Sequence, residues 1–167
     1  MPRHIMISDG PAQPDIQHVE SFWQKASLEF PDLGGDYQVR SLGIDAETTE
    51  QILGFIKARE KVATCSLPWV LEANGFPRSS AGTPIVLCDY EGTPRLIVRL
   101  TEVRETTFGE ISAAETSMDG PPVQDPDIWI PLHREYWNGL LTTYERQCQD
   151  NMPVPIEPFD YVGEVSL

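Results

Sequence analysis

The sequence predicts an α+β fold, a small and partly open β-barrel decorated by helices. Two observations carry this. Runs rich in β-formers gather in the middle and at the end of the chain, with helical periodicities before and after them, an order unlike the strict alternation of βαβ units. Two of those runs, "PIVLCDY" and "PRLIVRLTEV", are joined by "EGT", a hairpin signal. The 167 residues suffice for one hydrophobic core, and there is neither an internal repeat nor a domain-sized linker. Residues 1–15, rich in Pro, Gly and Asp, read as a loose arm ahead of a single domain over 16–167.

The elements follow in order. Ile16, Val19, Phe22, Trp23, Ala26 and Phe30 fall on one helical face, and "PDLGGD" stops that helix. Asp45 is placed to cap a second helix that buries Ile52, Leu53, Phe55 and Ile56 and ends near Arg59. "KVATCSL" reads as a strand, followed by a Pro/Gly/Ser-rich loop, "PWVLEANGFPRSSAGT". After the hairpin, "FGEISAAET" reads as a short helical turn and "SMDGPPVQDPD" as a mobile, lid-like loop. Pro131 suits the first turn of a third helix, amphipathic through Leu132, Tyr136, Trp137, Leu140, Leu141 and Tyr144. "PVPIEPFDYVGEV" closes the chain as an extended segment whose prolines suit an edge strand.

Charge narrows the function. Twelve Lys+Arg against 26 Asp+Glu give a formal net charge of −14. Binding long nucleic acid exchanges condensed cations for Lys and Arg, so duplex DNA is disfavoured, as are anionic membrane surfaces. A small or uncharged ligand is therefore favoured over a long polyanion. Lys57, Arg59 and Lys61, with Arg95, Arg99 and Arg104, are the candidates for a local basic patch. No run of ~18 apolar residues occurs, and "MPRHIMISDG" lacks a signal-peptide core. Cys65, Cys88 and Cys148 are odd in number, without C-x-x-C spacing, and read as free thiols of a cytoplasmic protein. His4, His18 and His133 are too scattered for a metal site, and nothing in the sequence calls for a cofactor. The phosphate-loop, dinucleotide, zinc-protease and nucleophile-elbow motifs are absent.

An ordered set of short motifs remains. It comprises Phe22-Trp23, then Lys61, Thr64, Ser66 and Leu67, then Gly82 and Pro84, the turn "DYEGTP", "TEVRETTF", Glu115, Trp129 with His133, and "VPIEPF". In this order and spacing the sequence resembles the ASCH domain family (activating signal cointegrator homology), relatives of the PUA-like RNA-binding barrels. The resemblance runs from about residue 20 to the end. Arg59 stands at the family's glycine, Thr116 and Ser117 replace its Gly-Glu, and Ile130 replaces its arginine.

The resemblance implies a PUA-like small β-barrel decorated by helices, with a cleft suited to a nucleoside or RNA. It also implies a possible activity, hydrolysis of acetylated cytidine by a Lys/Thr/Glu set that maps onto Lys61, Thr64 and Glu115. In that scheme Thr64 attacks the amide carbonyl, Lys61 takes its proton if burial lowers its pKa, and Glu115 protonates the leaving amine. Residues 61 and 64 of one strand face opposite ways, so the pair meets only through a bulge or the helix-to-strand turn. The alternative is a resting ion pair between Lys61 and Glu115, with Thr64 as a plain β-former. Arg59, Ser66, Trp129 and His133 are the expected ligand contacts, and Trp69 and Phe76 either wall the cleft or join the core. A non-catalytic binder of single-stranded RNA and a ribonuclease using the same lysine are the competing functions.

Overall fold

A computed structural model describes residues 6–7 and 14–165. Among these, β1 (Met6–Ile7), β2 (Gln38–Ser41), β3 (Ala63–Cys65), β4 (Pro84–Cys88), β5 (Pro94–Leu100) and β6 (Ile156–Gly163) form one sheet in the order β1-β2-β4-β5-β6-β3. The first two pairings, β1 with β2 and β2 with β4, are parallel, and the other three are antiparallel. The sheet curls into a half-barrel, decorated by α1 (Ile16–Glu29), α2 (Ala46–Lys57), α3 (Pro68–Ala73), α4 (Ala113–Thr116) and α5 (Pro126–Leu141). This is the α+β, PUA-like architecture expected from the sequence.

The central strands are apolar on both faces because helices cover both. Val86, Cys88 and Ile97 pack with Val19, Phe22, Trp23 and Ala26 of α1. Alternate residues Ile85, Leu87, Leu96 and Val98 pack instead with Leu53 and Ile56 of α2. That two-residue period is the strand geometry itself, and each fully buried side chain of this size contributes about 1.5–3 kcal/mol. A third cluster joins Trp129, Trp137 and Leu141 of α5 to Phe108, Met152 and Ile156. The hairpin forms as expected: Asp89 accepts the N–H groups of Glu91 and Thr93, and Gly92 takes φ +90°.

Several elements depart from the sequence expectation. Of the arm over 1–15, Met6–Ile7 pair with β2 and Asp15 caps α1, while the remainder lies largely outside the described residues. The expected loop after Leu67 contains α3, started by Pro68 in its first turn. The last helix begins at Pro126, capped by Asp125, so Pro131 lies inside it. The closing strand is not an edge: β6 sits between β5 and β3. Pro158 is tolerated there because it falls just past the end of β5, where its carbonyl still accepts from Thr101. Strand β2 is short, with three polar residues in four, and carries no strand pattern legible in the sequence.

Candidate functional site

Lys61 is positioned by the way α2 ends. Arg59 takes φ +60°, its N–H donates to the Ile56 carbonyl, and the N–H of Glu60 donates to that of Phe55. This is a Schellman turn, whose left-handed residue is ordinarily glycine, which accounts for the glycine of the family pattern at this position. Arg59 fills it here, its guanidinium 5.4 Å from the centre of the Tyr161 ring. The turn delivers Lys61 before β3 begins at Ala63, so strand alternation does not separate it from Thr64. Both residues are buried and both line one cavity of about 220 Å³.

Asp119 stands opposite Lys61. Its Oδ1 accepts from the Lys61 ammonium at 2.8 Å and from the Gly120 N–H at 2.7 Å, and its Oδ2 accepts from the Trp129 indole N–H at 2.8 Å. Burial alone would raise the Asp119 pKa, but the Lys61 charge and these donors together bring it below its ordinary value. The pair is therefore an ammonium and a carboxylate. The segment bearing Asp119, expected as a mobile lid, is a structured wall. Met118 accepts from the Val62 N–H, Pro121–Val123 form a 3-10 turn, and Gln124 donates to the Asp119 carbonyl.

Along α5, Trp129, His133 and Trp137 recur every four residues. The Trp129 and His133 rings stack at 3.7 Å, and Trp137 meets His133 edge-on at 5.0 Å. His133 and Trp137 line the cavity, whereas Trp129 is buried behind them. The His133 Nδ1 lies 2.8 Å from the Trp129 carbonyl, which can only accept, so Nδ1 carries a proton. Burial lowers the His133 pKa, opposed by the Trp129 carbonyl and Asp119 and aided by Lys61. The ring is then neutral near pH 7, and its Nε2 is a bare acceptor.

The far wall comes from β2. Three strand steps separate β2 from β6, about 14 Å in a flat sheet. Yet Arg40 bonds Glu157 across the concave face, at 2.8 and 3.3 Å, with both side chains almost wholly buried. Its remaining donors go to Gln38 and Ser79. Glu157 is the register partner of Thr64, so this ion pair ties the Thr64 side of the sheet to β2. Ser41, next along β2, also lines the cavity, and its buried Oγ has no hydrogen-bond partner among the described residues. Cys65 opens in part to the cavity, but burial pushes its thiol up to about 12, with Lys61 opposing and Asp119 adding to the effect. It stays protonated.

The expected residues thus separate. Lys61, Thr64 and His133 converge, with Trp129 behind them. Glu115 does not face Lys61: it caps α4, accepting from the Ser112 N–H and hydroxyl at 2.7 and 2.9 Å. A Ser-x-x-Glu spacing at a helix start is a capping box, and that local bond claims the carboxylate. Arg59 lies over Tyr161, and Ser66 is buried between β3 and α3; neither lines the cavity. Trp69 lines a different, more open hollow of about 620 Å³, under the Arg146 guanidinium. The proposed basic patch is largely spent on carboxylates: Lys57 pairs with Glu164, Arg95 with Glu50, and Arg104 with Glu102. Sequence reasoning missed Asp119, Arg40 and Ser41. The Asp119-Gly120 dipeptide was visible, but not that a Cβ on Gly120 would meet the Phe55 ring at 2.7 Å, fixing this segment against the cavity. Among the described residues no group of three or more His, Cys, Asp or Glu is arranged to hold a metal ion, and no helix is long and apolar enough to cross a membrane.

The ASCH domain family model matches residues 40–163, from Arg40 of the cavity wall through to the end of β6. The chain is an ASCH-domain protein. Two solved structures support the fold of this ASCH domain. One is protein EF3133 from Enterococcus faecalis V583, 22% identical, with a TM-score of 0.77 over 90% of this chain and 91% of that one. The other is an ASCH domain from Lactobacillus crispatus JV V101, 19% identical, with a TM-score of 0.77 over 89% of this chain and 96% of that one. No curated protein matches the ASCH chain described here.

Proposed function

We propose that the cavity binds an uncharged, nucleoside-sized ligand. One observation carries this reading: both cations lining the cavity are matched by carboxylates, Lys61 by Asp119 and Arg40 by Glu157, each at 2.8 Å. A phosphate entering here would meet no uncompensated positive charge and would lose its hydration, a cost that a neutral base avoids. The walls suit a flat, neutral ring. Phe55, Tyr136 and Trp137 supply apolar surface, and Lys61, Thr64 and His133 supply donors and an acceptor. The volume of about 220 Å³ favours one small molecule over a polymer. The pairing of Lys57, Arg95 and Arg104 with carboxylates, together with the net charge of −14, further disfavours an RNA-binding module or a ribonuclease.

A second reading is amide hydrolysis on such a ligand, as in family members that act on acetylated cytidine. It is favoured by Thr64 and Lys61 lining the same cavity while the neighbouring Cys65 thiol is held protonated. Thr64 Oγ1 would add to the amide carbonyl, the proton it gives up would pass to the leaving nitrogen as the C–N bond breaks, and water would then release the acyl group as a carboxylic acid and restore the Thr64 hydroxyl. The Lys61 ammonium, paired with Asp119 at 2.8 Å, fits the developing oxyanion better than the role of base.

Calorimetric titration with cytidine, acetylcytidine, cytidine monophosphate and a short single-stranded RNA tests the binding reading, and product assays on acetylcytidine and on the RNA test turnover. The expected result is binding of the neutral nucleosides with little salt dependence, weaker binding of the monophosphate, and loss of both in Lys61→Ala. Tighter binding of RNA or monophosphate, weakening steeply with salt, would overturn it.

A further inference from the structure

We infer that the cavity takes a neutral ring bearing an apolar substituent, and that Pro122, Val123 and Leu132 form the wall along which that substituent lies; this rests on the nucleoside reading above and names the group its ligand carries.

The cavity changes character from floor to mouth. Its polar floor is closed off, with Lys61 and Thr64 only 6% and 9% exposed. At the mouth the lining is apolar and open, with Ile44 54% and Leu132 42% exposed. Neither of these two belongs to any of the three core clusters. Its periodicity sets Leu132 on the buried face of its helix, yet no part of the core covers it. One exposed leucine needs no explanation, but Leu132 does not stand alone. Exposed Pro122 and half-buried Val123 line the same cavity, on the 3-10 turn that packs against α5. That turn is fixed in place. The Val123 N–H donates to the Gly120 carbonyl, the Gln124 side chain to the Asp119 carbonyl, and the Thr116 hydroxyl to the Gln124 carbonyl. The apolar wall is therefore built in advance of any ligand.

The chemistry of the mouth selects what can lie there. The charged side chains lining the cavity are Arg40, Lys61 and Asp119, all held in the two ion pairs described above. An ionised or strongly hydrated substituent thus finds no charged partner at the mouth, whereas hydrocarbon gains by releasing water from Pro122, Val123 and Leu132. The α2 side differs, because Thr48 and Gln51 line the cavity with polar side chains. A ring seated against Lys61, Thr64 and His133 therefore has polar partners on α2 for sugar hydroxyls. It has hydrocarbon on the α5 side for a second substituent. The ligand class is accordingly a neutral nucleoside-like heterocycle whose ring carries a short alkyl or acyl group.

The test is calorimetric titration of wild type and Leu132→Gln with cytidine and with cytidines alkylated on the exocyclic amine, which amide hydrolysis cannot consume. The alkyl groups are methyl, propyl, butyl and 2-hydroxyethyl. In wild type, affinity is expected to rise about twofold per added methylene, half the effect of complete burial because the wall is open on one side. The butyl compound should then bind about eightfold more tightly than the methyl compound. Propyl should bind more tightly than 2-hydroxyethyl, which has the same length but ends in a hydroxyl; this comparison depends on no variant. Leu132→Gln, at an exposed helical position where glutamine is as good a helix former as leucine, should cut the gain from methyl to butyl to about threefold or less. Butyl binding no tighter than methyl, or 2-hydroxyethyl binding as tightly as propyl, would overturn the inference while cytidine binding keeps the nucleoside reading. An undiminished gain in Leu132→Gln would overturn it as well. If wild type binds neither cytidine nor any of its alkyl derivatives, the nucleoside reading itself fails and the wall assignment falls with it.

Discussion

Removing the Asp119 carboxylate isolates the interaction on which the cavity depends. In Asp119→Ala the Lys61 ammonium, whose side chain is 7% exposed, loses its partner at 2.8 Å, and the Trp129 indole N–H and Gly120 N–H lose theirs. Stripping one member from a buried ion pair costs about 3–5 kcal/mol, mostly because the remaining charge stays buried and unpaired. With a urea dependence of about 2 kcal/mol per M, the unfolding midpoint should fall by about 1.5–2.5 M. Glu115→Ala is the control. Glu115 is bonded only within its capping box, so its loss should cost about 1 kcal/mol or less, a midpoint shift of about 0.5 M or less. Equilibrium urea unfolding followed by tryptophan fluorescence reads both, since Trp129 and Trp137 stand beside the site. A Glu115→Ala loss equal to or larger than the Asp119→Ala loss would refute the assignment of Asp119 as the partner of Lys61.

Three further outcomes are expected. Arg40→Met should destabilise by about 3–5 kcal/mol by leaving Glu157 buried and unpaired, and the Arg40→Met/Glu157→Leu double variant should recover most of that in chemical denaturation; a strictly additive double variant would refute the pairing. His133, with its pKa lowered from 6.5, binds protons less readily folded than unfolded. Its contribution is thus full above the ordinary histidine range and is lost as pH falls through the folded value, so wild-type stability should decline from about pH 7 toward 5, a slope that His133→Asn flattens in pH-dependent melting. Cys65, with a thiol near 12, should resist iodoacetamide in the folded protein at pH 8 and react readily after unfolding, as mapped by peptide mass spectrometry.

Legibility in the sequence followed the range of the interaction. Helices α1 and α2, the Asp45 cap and the hairpin through Gly92 were readable because periodicity, capping and turn chemistry act within a few residues. Strand β2 was not, because its Gln38 and Arg40 are satisfied by partners far along the chain, Ser79 and Glu157. Glu115 misled for a related reason: its spacing from Ser112 serves a local cap, which no motif comparison distinguishes from a cleft carboxylate.

By itself, then, the sequence determined the α+β class and the PUA-like family resemblance, and it singled out Lys61 and Thr64, which line one cavity, all written in local pattern or in ordered motifs. Only the tertiary structure decided which carboxylate faces Lys61 and that Arg40 and Ser41 close the opposite wall. The curl of the sheet and the packing of Gly120 on Phe55 are set by the whole fold, and they bring together side chains that no short stretch of chain connects.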